Sequence, residues 1–428
     1  MSLVADGVLD QSTRILDGEG GGGRGHPLAP SGTVEEVAPD VAFVPSFANV
    51  SALRTGDGLV LFDSGSTMLS EQVHTQLRSW STDPVHTIVF THGHIDHVFG
   101  VERYDADNAA AGAPSVRVVA HEALPARFDR YRRTAGYNGT INARQFSSPG
   151  LRWPTDYRYP DETYRDALSL DVGGERIELR HALGETDDAT WGWVPGRGVL
   201  FTGDLVIWAS PNCGNPQKVQ RYPVEWAEAL REMAAVGAGV LLPGHGLPVV
   251  GADRIATFLT EGAELLESIV EQTLAAMNDG ARLDEVLRRV TPPEHLLARP
   301  HLRPVYDEPE FVVRNLWRLY GGWYDGNPAT LKPATEADLA TELAGLAGGP
   351  GRLAARAREL AGAGDDRSLR LAGHLAELAA LAAPGDVDAH AARAEVFGAR
   401  ASAAASTMAQ GVFRWAATES QEVVDGRG

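Results

Sequence analysis

Residues 91–97 read Thr91-His92-Gly93-His94-Ile95-Asp96-His97 and follow the β-branched and aromatic run Thr87–Phe90. That run indicates a buried strand, so the histidines are expected on the loop after it. In extended or turning backbone, His92 and His94 point the same way, while Asp96 and His97 are displaced from them. This spacing suits two neighbouring metal ions better than one, and the alternative is a polar loop with surface histidines.

Three later runs with strand character also end in residues that could bind a metal ion. They are followed by Glu185, Asp204 and His245. An earlier hairpin ends in Asp63, for which the alternative role is to cap the helix that begins near Met68. Metal sites form in this way when one edge of a sheet collects side chains from several loops. Nearby residues with other expected roles are His121 and His181, which we expect to be structural, and Asp187 and Asp188, which are spare carboxylates if Glu185 is not a ligand.

The composition describes a protein large enough for two domains. Its 428 residues are 43% hydrophobic, and a net charge of −19 at pH 7 argues against general binding to nucleic acids or anionic membranes, which need a basic surface. The single cysteine, Cys213, excludes an intrachain disulfide, and no basic start followed by an apolar run marks a leader segment. We therefore expect a cytoplasmic protein without a membrane span.

Three regions of different composition divide the chain. Residues 1–32 are rich in glycine and proline and are predicted to form a flexible N-terminal arm. Residues 33–250 alternate strand-like and helix-like runs, which predicts an α/β catalytic domain. Residues 251–420 carry apolar side chains at three- and four-residue steps, followed by an Ala/Leu/Arg/Glu-rich stretch, which predicts an all-α domain of helical hairpins. Its alanine-rich faces suit close packing, within the chain or across a dimer.

Residues 126–165 form a long stretch rich in Tyr, Arg, Asn and Pro. Long irregular insertions of this kind are commonly binding loops or lids, and the alternative is a solvated surface loop. Candidate substrate contacts here are Tyr137, Asn142 and Arg144, because the amide and guanidinium groups of this stretch suit an anionic ligand.

Together, the motif at 91–97 and the later strand ends resemble the metallo-β-lactamase superfamily, whose fold is an αββα sandwich. Five motifs of that superfamily stand here in the right order, at Asp63, residues 92–97, Glu185, Asp204 and His245. Most members have a histidine where this chain has Glu185. A carboxylate at that position resembles the type III alkylsulfatases.

The second half resembles the same branch. Residues 320–329 contain the segment GWYDGNPA, which is similar to the alkylsulfatase dimerisation region, and the two matches cover roughly residues 33 to 415. The resemblance implies a homodimer, for which candidate buried anchors are Phe311, Trp317, Tyr320 and Trp323. Longer members carry a third, sterol-carrier-like domain, whereas this chain stops at Gly428, so we expect a reduced apolar surface next to the site.

The resemblance also implies a ligand set for two ions. His92, His94 and Glu185 would hold one ion, Asp96, His97 and His245 the other, with Asp204 bridging. Two zinc ions suit these nitrogen and oxygen ligands, which also admit iron or manganese. Asp96 and Asp204 are then the candidate catalytic residues of a dinuclear hydrolase that cleaves an alkyl sulfate ester through a metal-bridging water.

The sulfate contacts implied by the resemblance lie mainly after Asp204. Asn212 stands where the alkylsulfatases have an asparagine, and their arginine corresponds to either Lys218 or Arg221. Arg144 resembles a further sulfate-contacting arginine. Three other hypotheses stay open: a hydrolase of the same fold acting on a lactone, thioester or phosphodiester, an iron-dependent oxidoreductase, and a helical interaction module with a vestigial hydrolase domain.

Overall fold

The computed structural model describes residues 7–19 and 33–427. In this part of the chain, thirteen strands form two sheets. The strands are β1 (Glu35–Ala38), β2 (Val41–Val44), β3 (Val50–Thr55), β4 (Gly58–Phe62), β5 (Val85–Val89), β6 (Arg117–His121), β7 (Glu162–Tyr164), β8 (Ala167–Val172), β9 (Glu175–Ala182), β10 (Ala189–Val194), β11 (Val199–Gly203), β12 (Val240–Pro243) and β13 (Val249–Val250).

Helices cover the sheets and make up most of the second half. Those before residue 251 are α1 (Val8–Leu16), α2 (Ser70–Trp80), α3 (Val101–Ala111), α4 (Leu124–Arg133), α5 (Ala135–Gln145) and α6 (Pro223–Ala235). Those after it are α7 (Ala252–Asn278), α8 (Leu283–Arg289), α9 (Glu294–Leu297), α10 (Pro309–Gly321), α11 (Pro328–Leu331), α12 (Glu336–Ala347), α13 (Pro350–Ala363), α14 (Asp366–Ala382), α15 (Val387–Ala403) and α16 (Thr407–Val424). Among the described residues, no helix is long and apolar enough to cross a membrane.

The two sheets pack face to face, with helices on both outer sides. Side chains alternate along β4, so Val60 and Phe62 join the core between the sheets, whereas Leu59 and Leu61 pack in a second core with residues of α2 and α3. Across the sandwich, the ring of Phe62 stacks on Phe201 of β11, with ring centroids 3.9 Å apart. The predicted αββα sandwich is confirmed.

Parallel pairing brings the polar strand ends together. Strand β5 runs parallel to β4 and β6 in the first sheet, and β11 runs parallel to β12 in the second. The carboxyl ends of parallel strands meet at one edge of a sheet. Asp63 follows β4, residues 91–97 follow β5, Asp204 follows β11 and His245 follows β12. One edge of the sandwich therefore collects all of these loops.

The predicted N-terminal arm contains a helix. Val8 of α1 is 1% exposed and belongs to the main hydrophobic core, and Leu9, Ile15 and Leu16 pack against that core. A flexible arm is therefore wrong for Val8–Leu16, because the glycine-rich stretch begins only at Gly18 and leaves these apolar residues free to pack. The rest of the predicted arm, apart from residues 7 and 17–19, lies outside the described residues.

The second half has two parts. Residues of α7, α8 and α10 share the main core with the second sheet, for example through Leu259, Val286 and Leu316. In contrast, α12 to α15 form two smaller cores of their own, rich in alanine. The boundary at residue 250 stays a prediction, and the cores show that α7 is packed as part of the catalytic half.

Candidate metal centre

Seven side chains converge at the edge where the loops meet. Their nitrogen and oxygen atoms form two groups, in each of which the ligand atoms lie within 4.8 Å of one another. One group is His92, His94, Glu185 and Asp204, and the other is Asp96, His97 and His245. The structure thus brings together all seven residues that the sequence predicted as metal ligands.

Asp204 lies between the two groups. Its Oδ2 atom is 3.6 Å from Nε2 of His92 and 3.3 Å from Nε2 of His245, and its Oδ1 atom is 3.4 Å from Nε2 of His97. Oδ2 of Asp96 is 3.4 Å from Nε2 of His245. A carboxylate that reaches histidines of both groups is placed as a bridging ligand would be.

Several of the converging atoms are buried without a hydrogen bond. Within the described residues, His97 Nε2, Asp204 Oδ1 and Glu185 Oε2 form none. Leaving a buried polar atom unpaired costs about 1–3 kcal/mol. Three such atoms in one cluster of acids and imidazoles fit a bound cation, which would satisfy them together.

The acid-base properties of the first group agree with this fit. Burial lowers the pKa of His92 to about 4 and holds the pKa of His94 well below its usual range, so both imidazoles are neutral at pH 7, the form that binds metals. Burial also raises the pKa of Glu185 to about 8, although the charge of Arg221 acts against the rise. The charge of Arg221 alone therefore does not offset the cost of burying the charged form of Glu185, whereas a bound metal ion would.

Asp63 orients a ligand and does not cap a helix, since α2 begins only at Ser70. Its Oδ1 atom accepts the backbone N–H of Thr91 at 2.7 Å, and its Oδ2 atom accepts the Thr91 hydroxyl at 2.8 Å. Oδ2 also lies 2.7 Å from Nδ1 of His97. This contact fixes the tautomer of His97, so that Nε2 faces Asp204.

Asp188 and Arg127 hold the histidine loop from the other side. Oδ2 of Asp188 accepts the backbone N–H of Gly93 at 2.9 Å, and Oδ1 of Asp188 lies 2.9 Å from Nε of the buried Arg127. A Cβ atom at position 93 would lie 2.7 Å from Cδ of Arg127, so a larger residue there would displace the Arg127 side chain. Arg127 also pairs with Asp187. Neither Asp187 nor Asp188 belongs to the two groups of candidate ligands. Asp188 instead holds the histidine loop through its hydrogen bond from Gly93.

Glu185 is held by two neighbours from the loop after β11. Nη1 of Arg221 lies 2.8 Å from Oε1 of Glu185, and the amide of Asn212 donates to the same oxygen. Arg221 also donates to the backbone oxygen of Asn212. The side chain of Arg221 is 2% exposed, and these contacts hold its guanidinium against Glu185.

A cavity of about 340 Å³ opens beside the candidate metal ligands. Its polar lining includes Asn142, Asn212, Lys218 and Arg221, with Nζ of Lys218 donating to Oδ1 of Asn142 at 2.9 Å. Its apolar lining consists of Phe47, Met68, Ile95, Phe146, Leu151, Trp153 and Ile207. The chain therefore supplies an apolar surface next to the site from its own first half, and a reduction of that surface relative to the longer relatives stays a prediction.

Two predicted substrate contacts lie outside this cavity. Arg144 donates to the side chain of Gln217 at 3.1 Å, and Tyr137 is 67% exposed. Residues 126–145, which were expected to be irregular, fall largely on α4 and α5. On α5, Asn138, Asn142 and Gln145 line the cavity at helical spacing, so a side chain one residue earlier points about 100° away.

Tyr306, which the sequence analysis missed, also lines the cavity. It belongs to the segment between α9 and α10, and its hydroxyl accepts the side-chain N–H of Gln145 at 3.2 Å. Gln145 and Asn215 are further lining residues without a predicted role. No local pattern marks Tyr306, because its place depends on a contact between distant parts of the chain.

Comparison with known proteins finds two families, one for each half. The profile of the metallo-β-lactamase superfamily matches residues 44–245, and the profile "Alkyl sulfatase dimerisation" matches residues 282–422. The chain contains both domains, in this order.

Curated relatives include two alkylsulfatases from Pseudomonas species. The chain is 28% identical over 320 residues to a linear primary-alkylsulfatase, covering 69% of this chain and 60% of that protein. It is 26% identical over 376 residues to an (R)-specific secondary-alkylsulfatase, covering 81% of this chain and 56% of that protein. The chain thus spans less than two thirds of the length of either relative.

Among solved structures, the stereoselective inverting sec-alkylsulfatase Pisa1 from a Pseudomonas species has a similar fold. The TM-score is 0.79 at 22% sequence identity, and the match covers 92% of this chain and 66% of that protein. The likeness extends through the helical half, so the two domains of this chain are arranged as in that protein.

Proposed function

We propose that this chain, in which a metallo-β-lactamase superfamily domain precedes an alkyl sulfatase dimerisation domain, is a metal-dependent hydrolase that cleaves alkyl sulfate esters to an alcohol and sulfate. One observation carries the proposal. The cavity of about 340 Å³ is lined by candidate metal ligands, by Lys218 and by an apolar wall. An alkyl sulfate has the matching parts, since it joins an anionic group to an apolar tail.

The proposed cofactor is a pair of zinc ions. His92, His94 and Glu185 would hold one ion, and Asp96, His97 and His245 the other, with Asp204 shared. When bound, such a pair lowers the pKa of a water molecule toward neutrality and draws charge from the oxygens of an anionic ester. Elemental analysis of protein purified without added metal identifies the ion, and stoichiometric iron with oxygen consumption would favour an oxidoreductase instead.

The other residues have binding and orienting roles in this proposal. Lys218 attracts the sulfate group, and Asn142 holds the Lys218 ammonium in place through its side-chain oxygen. Arg221 and Asn212 fix Glu185 by hydrogen bonds. The apolar wall takes the tail and excludes water from it. The orienting roles of Asn142, Asn212 and Arg221 rest on hydrogen bonds between residues of this chain.

Release of sulfate from a panel of alkyl sulfates tests the proposal. The same preparation should be assayed with lactones, thioesters and phosphodiesters, which other proteins of this fold class could hydrolyse. We expect sulfate release to dominate. Turnover confined to the other esters would show that the family resemblance does not extend to the substrate.

A homodimer is part of the proposal. Large apolar side chains of the second half lie exposed in the single chain, among them Tyr320, Trp323, Leu331, Leu339 and Leu346, which are 51–77% exposed. Exposed large apolar side chains are available to pack against a second chain, and the dimerisation profile covers all five. Two of the predicted anchors, Phe311 and Trp317, are instead partly buried within the chain. A molar mass of one chain by light scattering at micromolar concentration would contradict the dimer.

A cytoplasmic location is likewise proposed. It is supported by the lone cysteine, Cys213, which is a buried free thiol. Cell fractionation with an antibody to the chain tests it.

The affinity for an alkyl sulfate should fall as the pH rises above about 8. Burial, with a smaller contribution from Arg221, lowers the pKa of Lys218 to about 8. The ammonium is therefore charged below that pH and loses its charge above it. If binding requires the charged form, KM rises toward tenfold per pH unit above the pKa. Measuring KM from pH 6.5 to 9.5 checks this.

Two variants of Lys218 separate this effect from changes in the metal centre. Lys218→Arg keeps its charge throughout the range, so its KM should stay nearly constant. Lys218→Met should have a high KM at every pH. If the wild type and Lys218→Arg instead show parallel profiles, another group causes the pH dependence.

A further inference from the structure

One wall of the cavity is a continuous piece of chain that runs from α5 into the segment after it. Its lining residues are Asn138, Asn142, Gln145, Phe146, Ser148, Leu151 and Trp153. The first part of this wall faces the sulfate-binding end, because Asn142 contacts Lys218. The second part is mostly apolar and faces the tail. The position of α5 therefore sets the width of the space for the tail.

Helix α16, near the C-terminus, lies directly behind this wall. At Gly411 the two backbones touch, since a Cβ atom there would lie 1.9 Å from the carbonyl oxygen of Gln145 and 3.2 Å from that of Arg144. The hydroxyl of Ser147 donates to the carbonyl oxygen of Gly411 at 3.4 Å. These contacts involve main-chain atoms, which cannot rotate away as a flexible side chain could.

Helix α16 is fixed at its beginning, so it provides a firm support. The hydroxyl of Ser406 donates to Oε1 of Glu308 at 2.5 Å, and Thr407 N–H donates to the backbone oxygen of Val305 at 2.9 Å. These two contacts flank Tyr306, which lines the cavity and bonds Gln145. Helix α16 therefore touches the wall directly at Gly411. It is also connected to the wall through the segment that carries the cavity residue Tyr306.

We propose that Gly411 is a positioning residue that sets the size of the tail compartment, so that the C-terminal helix determines which alkyl tails the site accepts. The inference rests on the proposed function. A methyl group at position 411 must move α5 or α16 by about 1 Å, because Cβ atoms essentially never come within 3.0 Å of another atom. A misplacement of this size in a binding wall can cost about 10²-fold in rate.

The test is Gly411→Ala, with Gly398→Ala as its matched control. Gly398 lies on α15, where a Cβ atom would meet no heavy atom of the described residues within 4 Å. For Gly411→Ala we expect KM for octyl sulfate to rise by about 10- to 100-fold and to rise more than KM for methyl sulfate, while the metal content stays unchanged. Gly398→Ala should match the wild type. A purely structural effect would instead lower kcat for both substrates alike.

Binding of 1-octanesulfonate, measured by calorimetry, separates this inference from the proposed function. If the wild type does not bind it, the proposed function fails. If the wild type and a folded Gly411→Ala bind it equally well, the inference is overturned. If Gly411→Ala does not fold, Ser406→Ala decides, because it loosens α16 without adding an atom. Unchanged selectivity between octyl and methyl sulfate in Ser406→Ala would then overturn the inference.

Discussion

Replacement of Asp204 by asparagine is expected to lower kcat/KM by about 10³-fold, the equivalent of several kcal/mol of transition-state stabilisation. Asp204 is the carboxylate whose two oxygens lie 3.3–3.6 Å from histidines of both ligand groups. Asparagine keeps the size but offers one neutral oxygen in place of two charged ones. We therefore expect the variant to hold about one metal ion fewer per chain, measured by elemental analysis.

The control for this variant is Asp105→Asn. Asp105 accepts the backbone N–H of Val116 at 2.8 Å, and an asparagine oxygen can do the same. This residue is outside both ligand groups, so activity and metal content should match the wild type. If Asp204→Asn keeps two ions and loses less than about tenfold in activity, Asp204 does not act as the shared ligand.

Ending the chain after residue 250 is expected to abolish stable folding of the catalytic half. Helix α7 begins at Ala252 and buries Ile255, Phe258, Leu259, Leu266 and Ile269 in the main core. Burial of each such side chain contributes about 1.5–3 kcal/mol to the free energy of unfolding. The loss of all five contributions is therefore as large as the whole stability of a typical protein, about 5–15 kcal/mol. The shortened chain should aggregate, which light scattering and circular dichroism would detect.

A chain that ends at residue 322 is the comparison for this experiment. It keeps α7 to α10, which belong to the main core, and removes α11 to α16, which include the two alanine-rich cores. We expect it to stay soluble and folded. If the chain ending at 250 were a soluble, fully active monomer, α7 would not be needed for the catalytic half.

Local patterns in the sequence were enough to predict an α/β first half and an all-α second half, whereas the αββα sandwich and the full set of candidate ligands were implied by the family resemblance. The candidate ligands lie in loops that follow strands whose apolar character is visible in the sequence, and Asp204 and His245 directly or nearly follow such a strand. Parallel pairing then brings the loops together without further information. For this reason, residues far apart in the chain could be assigned to one centre.

The binding wall was harder to predict, because it depends on helix phase and on distant contacts. The Tyr- and Asn-rich composition suggested a loop, but the segment forms α5, whose turn directs Asn142 inward and Tyr137 outward. Tyr306 and Gly411 carry no pattern of their own. Their roles arise only from packing against Gln145, which lies more than 150 residues before either of them in the sequence.

The order of the strands has a consequence for how the protein matures. Strands β1 to β7 pair in the order in which they occur in the chain. During synthesis, the strand with which each new strand pairs has therefore already been made. The candidate ligands are divided, with residues 92–97 in a loop of the first sheet and Glu185, Asp204 and His245 in loops of the second. Neither sheet alone offers a complete set. We therefore expect the protein to take up metal late in refolding, after the burial of the Trp191 side chain has changed the tryptophan fluorescence. Metal uptake would then report that the two sheets have docked.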